Sequence, residues 1–229
     1  MSKTGEAYVD STRRRTLDLA VASALSVFLV PADLAIMAVV MKEHKTFNPI
    51  YKNKRPGKDG NLITVPKFKT VETTNDPEER QDIWPGSYHP DAPPASLWLR
   101  RKGLDEIPQL LAVILGSMGM VGNRPLPQST RDYWQSVTPQ EPFSEWDEIS
   151  QKYVGVTGVE QLYGKQHDVT DPNLEESPAI IRRRVELGTQ SFYNASLKND
   201  IRILAATPLV LMFPDQASLP RVELAPEAT

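Results

Sequence analysis

The sequence contains no cysteine, which excludes disulfides and thiolate metal sites. It contains only three histidines, His44, His89 and His167, and they lie too far apart to show the spacing of a histidine metal motif. An excess of positive charge is missing too. The 229 residues carry a formal net charge of −3, which gives no global signal for nucleic acid, and we expect no nucleic-acid partner.

The sequence also lacks a long uninterrupted apolar run, although one segment near the N-terminus comes close. Pro31 and Asp33 divide that segment into a 12-residue arm, Leu19–Val30, and a shorter arm, Leu34–Met41. As a helix the longer arm measures about 18 Å, whereas the hydrocarbon core of a bilayer measures roughly 30 Å. In one straight span, Pro31 would remove a helix hydrogen bond and Asp33 would lie near the bilayer centre.

Basic residues flank both ends of this apolar segment. Arg13, Arg14 and Arg15 precede it, and it is followed by Lys42, Lys45, Lys52, Lys54 and Arg55. Positive flanks favour the cytoplasmic side, so both ends are predicted to lie there. The segment is therefore predicted to be a re-entrant membrane helix broken at Pro31, with Arg14 and Arg15 at its basic entrance. A single-crossing anchor and a buried core helix stay open as alternatives. A signal peptide is disfavoured because no convincing small-residue cleavage site follows Met41.

The rest of the chain is predicted to form a small α+β domain in which helices predominate. A turn at Lys58–Gly60 and a strand over Leu62–Val71, with Pro66 at an edge, predict a short β-hairpin. Helices are predicted at about Asp105–Leu115, Thr130–Ser136, Phe143–Lys152, Pro178–Leu187 and Glu186–Leu204. Loops are predicted over 72–96 and 116–127, and a turn followed by a strand or irregular segment over 154–165. The apolar stretch 207–214 is too short to span a bilayer and is predicted to be an interfacial patch or a packed end.

Two adjacent carboxylates, Asp105 and Glu106, stand in the stretch LWLRRKGLDEIPQLL, residues 97–111. The plainer interpretation is an N-cap aspartate and a first-turn glutamate, with Pro108 in the same turn. Basic residues nearby favour a chemical interpretation as well: Arg100, Arg101, Arg124, Lys67 and Lys69. A divalent cation on the carboxylates could bridge to a phosphate, and a carboxylate can attack phosphorus to form an acyl phosphate.

Six ordered segments of the chain carry motifs. They are RRTLDLAVASALSVFLVPADL, KRPGKDGNLITVPKFKT, LRRKGLDEIPQL, MVGNRPLP, VGVTG and SLKNDIRIL. The first resembles the proline-broken re-entrant helix of the monotopic phosphoglycosyl transferases, also called bacterial sugar transferases. The others resemble that family's R-x-G-x-x-G with K-F-R-[ST], L-R-x-x-x-L-D-E-L-P-Q, L-V-G-P-R-P, P-G-I-T-G and S-L-x-x-D-[IL]-x-I-L. The resemblance covers about Arg14–Thr207, and the Asp-Glu segment is its most specific part.

The resemblance implies an activity. Such an enzyme transfers a sugar 1-phosphate from a nucleotide diphosphate sugar, here expected to be a UDP-sugar, to a polyprenyl phosphate, here expected to be undecaprenyl phosphate. The reaction is the first membrane step of glycoconjugate biosynthesis. The resemblance also implies a covalent intermediate on Asp105 and a required Mg²⁺ held by Glu106 and Asp105. Its implied substrate-binding residues are Arg55, Lys67, Arg100, Arg124, Thr157 and Gly158.

The same resemblance implies where the protein works. We expect a monotopic protein of the cytoplasmic (inner) membrane that faces the cytoplasm and contacts membrane lipid; a homodimer is left open. The expected division is a re-entrant helix with basic flanks over 1–45, a catalytic domain with interfacial helices over 46–214, and a disordered tail over 215–229.

The sequence departs from the family pattern at several positions. Tyr153–Val154 stands where the family has Arg-Pro, and Lys69 stands where it has Arg, which forfeits a bidentate fork. Ala112 and Ser117 replace an Asn and an Asp, and Val30 replaces the serine before the membrane proline. The alternative is therefore a catalytically weakened homologue at the membrane surface that binds polyprenyl phosphate or a glycan-assembly partner.

Overall fold

A computed structural model describes residues 4–57, 61–71, 92–167 and 176–220 of the chain. Within these ranges the helices are α1 Thr4–Val9, α2 Thr12–Phe28, α3 Val30–Glu43, α4 Pro94–Lys102, α5 Gln109–Leu115, α6 Gln128–Val137, α7 Gln140–Lys152, α8 Val159–Gln166, α9 Pro178–Tyr193 and α10 Leu197–Met212. The strands are β1 Ile50–Pro56, β2 Leu62–Phe68, β3 Gly119–Val121 and β4 Gly155–Thr157. The predicted α+β class, with helices predominating and one short antiparallel hairpin, is confirmed.

The hairpin consists of β1 and β2 alone. The two strands are antiparallel, in a register that runs from Ile50 opposite Phe68 to Pro56 opposite Leu62. Ile63 and Val65 are buried on one face of β2, whereas Phe68 is buried on the opposite face against α3 and α4. Strand β2 ends three residues before the predicted Val71, and the predicted turn at Lys58–Gly60 lies outside the described residues.

A second, parallel pair joins β3 to β4. Gly119 lies opposite Gly155, and an isolated bridge extends the pair from Asn123 to Val154. The two backbone segments approach so closely that a Cβ on Gly158 would lie 2.1 Å from the carbonyl oxygen of Gly122. The sequence prediction was incomplete here, since 116–127 contains β3 and helix α8 follows β4 directly. Glycines on either side of both elements concealed them.

Helix boundaries differ from prediction where a cap or a proline determines them. Helices α6 and α7 are present and longer than predicted. The helix predicted to continue from Glu186 to Leu204 is broken, because the Ser196 hydroxyl accepts the Asn199 N–H and caps a new helix, α10. The apolar stretch 207–214 forms the end of α10 and the residues after it. The loop predicted over 72–96 is wrong at its end, since α4 begins at Pro94, and 72–91 lie outside the described residues.

Two apolar clusters form most of the core, and a third, of Ile36, Val40, Phe68 and Leu99, lies between α3, β2 and α4. The larger one joins α2, α5, the β3–β4 pair, α8 and α10 through residues that include Ala22, Leu110, Val113, Val121, Leu162 and Ile203. The smaller one lies between α6, α7 and α9 and contains Leu126, Trp134, Phe143, Trp146, Ile181 and Val185. The Trp134 and Trp146 ring centroids are 5.1 Å apart. Because α8 contacts both α10 and α9, it lies between the two clusters.

The predicted membrane segment consists of α2 and α3. The two helices meet at an angle of 63°. Within the described ranges no single helix has the length and apolar character to cross a bilayer, whereas this bent pair meets that test by length and composition. The break lies at Leu29, two residues before the predicted Pro31, because Pro31 is accommodated in the first turn of α3. Apolar side chains around the bend, Val27, Phe28 and Leu34, are exposed.

The structure places Arg14 and Arg15, predicted as the basic flank at the entrance of the membrane segment, against the rest of the domain. Arg14 is buried, and its Nη2 donates to the Val121 carbonyl at 2.7 Å. Arg15 donates to the carbonyls of Val113 and Ile114 at 2.6 and 2.9 Å. Both side chains therefore fasten α2 to α5 and β3 of the domain. Sequence reasoning counted them as flanking charge because their carbonyl partners are about 100 residues away.

The first residues of the predicted tail contact the domain. The Gln166 amide donates to the carbonyls of Pro214 and Ala217 at 3.0 and 2.6 Å, and Leu219 packs against the larger core cluster. Residues 221–229 lie outside the described residues, and so does that part of the predicted disorder.

Candidate active site

The Asp-Glu pair lies in a tight turn between two helices. Helix α4 ends at Gly103, whose φ of 66° is in the left-handed region that favours glycine. A 3₁₀ turn, Leu104–Glu106, follows, and α5 begins only at Gln109 after Pro108 as its N-cap. The prediction of a helix starting at Asp105 is therefore wrong by four residues. Because a 3₁₀ helix has three residues per turn, Asp105 and Glu106 project about 120° apart.

Glu106 binds two cationic side chains. Arg124 forms a fork with this carboxylate: Nη1 donates to Oε2 at 3.0 Å and Nη2 donates to Oε1. Lys67 Nζ donates to Oε1 at 3.0 Å. Burial by itself would raise the pKa of Glu106, but the charges of Arg124 and Lys67 outweigh it and hold that pKa well below its usual range. Glu106 is consequently ionised at neutral pH.

Arg124 comes from the loop that follows β3. Its backbone N–H donates to Glu160 Oε1 at 2.8 Å, so both its main chain and its side chain are held by carboxylates. Burial would lower the pKa of Arg124, but Glu106 and Asp105 raise it above its ordinary value. The guanidinium is therefore a permanent positive charge beside the dyad.

Asp105 differs from Glu106 in having no such partner. Its side chain is buried, yet in the described part of the chain no hydrogen bond or ion pair joins it to another residue. Arg124 is close enough to interact with it electrostatically. The turn thus presents one carboxylate bound by two cations and one carboxylate available for chemistry.

The other predicted site residues fall into two groups. Lys67 bonds to Glu106 of the dyad, and Arg100, in the last turn of α4, donates through Nη1 to Thr70 Oγ1 at 3.3 Å, beyond the end of β2. Thr157 and Gly158 support the loop that carries Arg124, since the Gly122 N–H donates to the Thr157 carbonyl at 2.8 Å and Gly158 packs on Gly122.

Arg55 is the predicted site residue that the hairpin register separates from Lys67. Lys67 lies opposite Tyr51, whereas Arg55 is opposite Ile63, four residues further along β1. At about 3.3 Å per residue this is a separation of roughly 13 Å. Arg55 is buried at that end of the hairpin.

Sequence reasoning missed three charged residues around the site. Glu160 binds the Arg124 N–H, Arg184 donates to Glu160, and Lys165 donates to the Arg100 carbonyl at 3.0 Å and adds positive potential at Glu106. Two of the three lie in α8, which was not predicted as a helix. A signal was present, however, because Glu160 is a lone charge between Gly155 and Leu162.

The donor set suits a magnesium ion through Asp105. Within the described ranges, no group of three or more His, Cys, Asp or Glu side chains is placed to hold a metal. Mg²⁺ commonly uses one or two carboxylates and completes its shell with water and substrate phosphates. Asp105 fits that role because its oxygens have no cationic hydrogen-bond partner. Glu106 fits it poorly, since both of its oxygens already accept bonds from cations.

Comparisons with known proteins point in one direction. The model of a family described as bacterial sugar transferase matches residues 9–214. A UDP-glucose:undecaprenyl-phosphate glucose-1-phosphate transferase of Caulobacter vibrioides is 26% identical over 205 residues, covering 90% of this chain and 72% of the relative. A UDP-galactose-lipid carrier transferase of Erwinia amylovora is 27% identical over 218 residues, covering 89% and 41%. The exopolysaccharide production protein ExoY of Rhizobium meliloti is 29% identical over 207 residues, covering 85% and 83%. The chain thus spans less than half the length of the Erwinia relative.

Proposed function

The chain belongs to the bacterial sugar transferase family, and from that premise we propose that it is a phosphoglycosyl transferase. It moves a sugar 1-phosphate from a UDP-sugar to undecaprenyl phosphate at the cytoplasmic face of the membrane, as the first membrane step of an exopolysaccharide or related glycoconjugate. The names of the Caulobacter and Erwinia relatives support this substrate pair.

One observation carries the proposal at the level of residues: a buried carboxylate with no hydrogen bond or ion pair to the described part of the chain stands next to a carboxylate that is bound by two cations. Phosphoryl transfer between a diphosphate and a phosphate depends mainly on positioning and charge neutralisation. Arg124 and Lys67 supply positive charge, and Glu106 holds both in place. Arg100 lies in the same region.

Asp105 acts as the nucleophile. A carboxylate oxygen attacks the phosphorus that bears the sugar, a bond from Asp105 to phosphorus forms, and the phosphorus–oxygen bond to UMP breaks. An oxygen of undecaprenyl phosphate then attacks the same phosphorus and releases Asp105. Arg124 and Lys67 neutralise charge on the transferred phosphoryl group in both steps. When bound, Mg²⁺ would add charge neutralisation on the donor diphosphate, and Asp105 is the residue placed to hold it.

The bent pair of α2 and α3 gives the enzyme access to its lipid acceptor. Neither helix spans a bilayer alone, and exposed apolar side chains surround the bend. Inserted in the cytoplasmic leaflet, the pair brings both of its ends back to the cytoplasm and places the domain at the membrane surface.

Release of UMP tests the proposed chemistry. The protein in lipid nanodiscs is incubated with a panel of UDP-sugars, first without and then with undecaprenyl phosphate. Without acceptor we expect a burst of about one UMP per active site, because the covalent intermediate accumulates. Asp105→Asn should abolish the burst, whereas Asp132→Asn, at an exposed aspartate, should retain it. Release that strictly requires acceptor would indicate direct attack by the lipid phosphate and remove the nucleophile role from Asp105.

Cysteine labelling tests the membrane arrangement. The chain has no cysteine of its own, so single cysteines can be placed at the exposed residues Arg13 and Lys45. Arg14 is unsuitable because it is buried. In intact cells a membrane-impermeant reagent should label neither position, and both should react after lysis. Labelling of either one from outside would reject the re-entrant arrangement.

A further inference from the structure

A buried glutamate outside the dyad holds the backbone that carries Arg124. Glu160 in α8 has a side chain that is only 1% exposed. One of its oxygens, Oε1, accepts the Arg124 N–H at 2.8 Å. The other, Oε2, accepts Nε and Nη2 of Arg184 at 3.1 and 3.0 Å. A single carboxylate therefore links the loop of the site to helix α9.

Arg184 is itself held on three sides, so it cannot easily follow a displaced Glu160. Its Nη1 donates to Glu176 Oε1 at 2.8 Å, and its guanidinium carbon lies 4.6 Å from the Trp134 ring centroid. Trp134 belongs to the smaller core cluster and is fully buried. The position of Oε1 is thus determined by packed core residues.

The neighbouring residue Gln161 restrains the same loop from its other side. Its amide donates to the carbonyls of Gly122 and Gly155, both at 3.2 Å. Consecutive residues of α8 therefore hold the carbonyl of residue 122 and the N–H of residue 124 in the loop. A loop fixed at two backbone groups two residues apart has little freedom to change the direction in which the Arg124 side chain leaves it.

We propose that Glu160 is a positioning residue for the transfer reaction, because its bond to the Arg124 N–H determines where the Arg124 guanidinium lies relative to Glu106 and the transferred phosphoryl group. This inference rests on the proposed function and adds a residue to it. A buried ion pair contributes little stability compared with an apolar pair of the same size, so stability alone does not explain a buried glutamate here. Placement of a catalytic arginine does explain it, since an error of about 1 Å in a reacting group can cost roughly 100-fold in rate.

Two substitutions of Glu160 separate positioning from folding. Glu160→Asp keeps the charge that Arg184 needs but draws the carboxylate back from the Arg124 N–H. Glu160→Gln keeps an oxygen for that N–H but loses the charge. We expect both variants to lower kcat for UMP release, Glu160→Asp by roughly 10-fold or more, with little change in the KM for the UDP-sugar. If Glu160→Gln fails to fold, Glu160→Asp still provides the test.

Asp147→Asn is the matched control. Arg131 is buried, pairs with Asp147, whose side chain is 28% exposed, and lies 5.9 Å from the ring of Trp146 in the same core cluster. Removing the Asp147 charge therefore disturbs an arginine–carboxylate pair of that cluster which, in the described part of the chain, bonds to neither Arg124 nor Glu106. We expect the thermal midpoint of Asp147→Asn to fall, while its kcat stays at the wild-type value.

A double-mutant cycle identifies the residue through which Glu160 acts. In an Arg124→Lys background, Glu160→Asp should change kcat by no more than about twofold, since coupled residues are not additive. Independent, additive losses would overturn the proposal, and so would wild-type kcat in both Glu160 variants.

Hydrogen exchange provides a readout that does not need activity. The amide hydrogens of the peptide that contains Arg124 should exchange faster in Glu160→Asp than in the wild type. In Asp147→Asn their exchange rate should be unchanged. If the wild type transfers no sugar phosphate, the proposed function fails, and this measurement still decides the role of Glu160: unchanged exchange at Arg124 would overturn it.

Discussion

Two buried ionic clusters in this chain hold their carboxylates in opposite charge environments. In the site cluster, Glu106 is bound by Arg124 and Lys67. In the second cluster, which we call the joint cluster, Asp18, Asp200 and Tyr8 lie around the cation Arg14 where α2 meets β3 and α10, and Arg15 also acts on Asp18. The Asp18 Oδ1 accepts the Met120 N–H at 2.8 Å, the Tyr8 hydroxyl donates to Asp200 at 2.9 Å, and Arg14 Nε lies 4.0 Å from Asp200.

The two clusters differ in the pKa of their carboxyl groups. Two cations overcome burial at Glu106 and hold its pKa well below the usual range. At Asp200, burial raises the pKa from 3.8 to about 7, because Arg14 and the Tyr8 hydrogen bond compensate only part of the desolvation. Burial is common to both groups, so the number of cations per carboxylate decides the outcome. Glu106 therefore stays ionised, whereas Asp200, with a pKa of about 7, titrates near neutral pH.

Removing the central cation of the joint cluster should have the largest effect. Arg14→Met leaves Asp200 buried without its cationic partner, weakens the positive field at Asp18 and loses the bond to the Val121 carbonyl. We expect a loss of about 3–5 kcal/mol in the free energy of unfolding at pH 8, and less at pH 5, where Asp200 takes up a proton. Denaturant unfolding in detergent measures it. Arg13→Met, at an exposed arginine of the same helix, should change stability little; equal losses would contradict this account of the joint cluster.

The second-largest effect is expected when the shared anion of the site cluster, Glu106, is removed. Glu106→Gln leaves Arg124 and Lys67 without the carboxylate that holds both, so we expect kcat to fall by roughly 100-fold. Added Mg²⁺ should not restore it, because the substitution disorders the cations. Rates are measured by UMP release, with Glu148→Gln in the exposed Lys152–Glu148 pair as control. Recovery at high Mg²⁺ would instead support Glu106 as a metal ligand.

A smaller loss should follow when the fork of the site cluster is removed and its charge is kept. Arg124→Lys retains a cation but cannot donate to both oxygens of Glu106. We expect about a 10-fold lower kcat, since one of two charge-assisted hydrogen bonds is lost. The thermal midpoint should change by only a few degrees. A fall in stability large enough to explain the lost rate would indicate a structural role.

The most gradual effect, spread over several pH units, concerns the pH dependence of stability. Because the folded-state pKa of Asp200 is raised, the folded state holds a proton that the unfolded state has released between pH 3.8 and about 7. This contribution to stability is complete below that interval and is lost as the pH rises through it, by at most about 1.4 kcal/mol per pH unit. Asp200→Asn should flatten the plot of unfolding free energy against pH. Compared with the wild type, the variant should be more stable at pH 8 than at pH 5. An unchanged slope would show that another group titrates.

The sequence was sufficient to predict the parts of the molecule that depend on local pattern. The hairpin strand, the break near Pro31, helices α6 and α7, and the grouping of Asp105, Glu106, Lys67 and Arg124 near one another all follow from periodicity or from motif order. The motif segments also led to the family that the comparison confirms.

Features that depend on long-range partners could not be predicted in this way. The sequence alone indicates that Arg14 is flanking charge, because its partners Val121 and Asp200 are far from it along the chain. The start of α5 moved from Asp105 to Gln109 because Gly103 adopts a left-handed conformation, which sequence alone permits but does not require. Glu160 was overlooked because three glycines around it hid α8, and its two partners lie 24 and 36 residues away.

The attachment of α2 to the domain has a consequence for how bilayer properties reach the site. Arg15 donates a hydrogen bond to the end of α5, which follows the Asp-Glu turn, and Arg14 donates one to β3, which precedes Arg124. One helix thus contacts both segments that carry the dyad and its arginine. In the proposed membrane arrangement, a change in the tilt of α2 would shift the two segments together, keeping their spacing while altering the height of Asp105 above the lipid phosphates. For the proposed reaction, membrane thickness should accordingly govern how well the lipid acceptor meets Asp105, while leaving the step with the soluble donor unaffected.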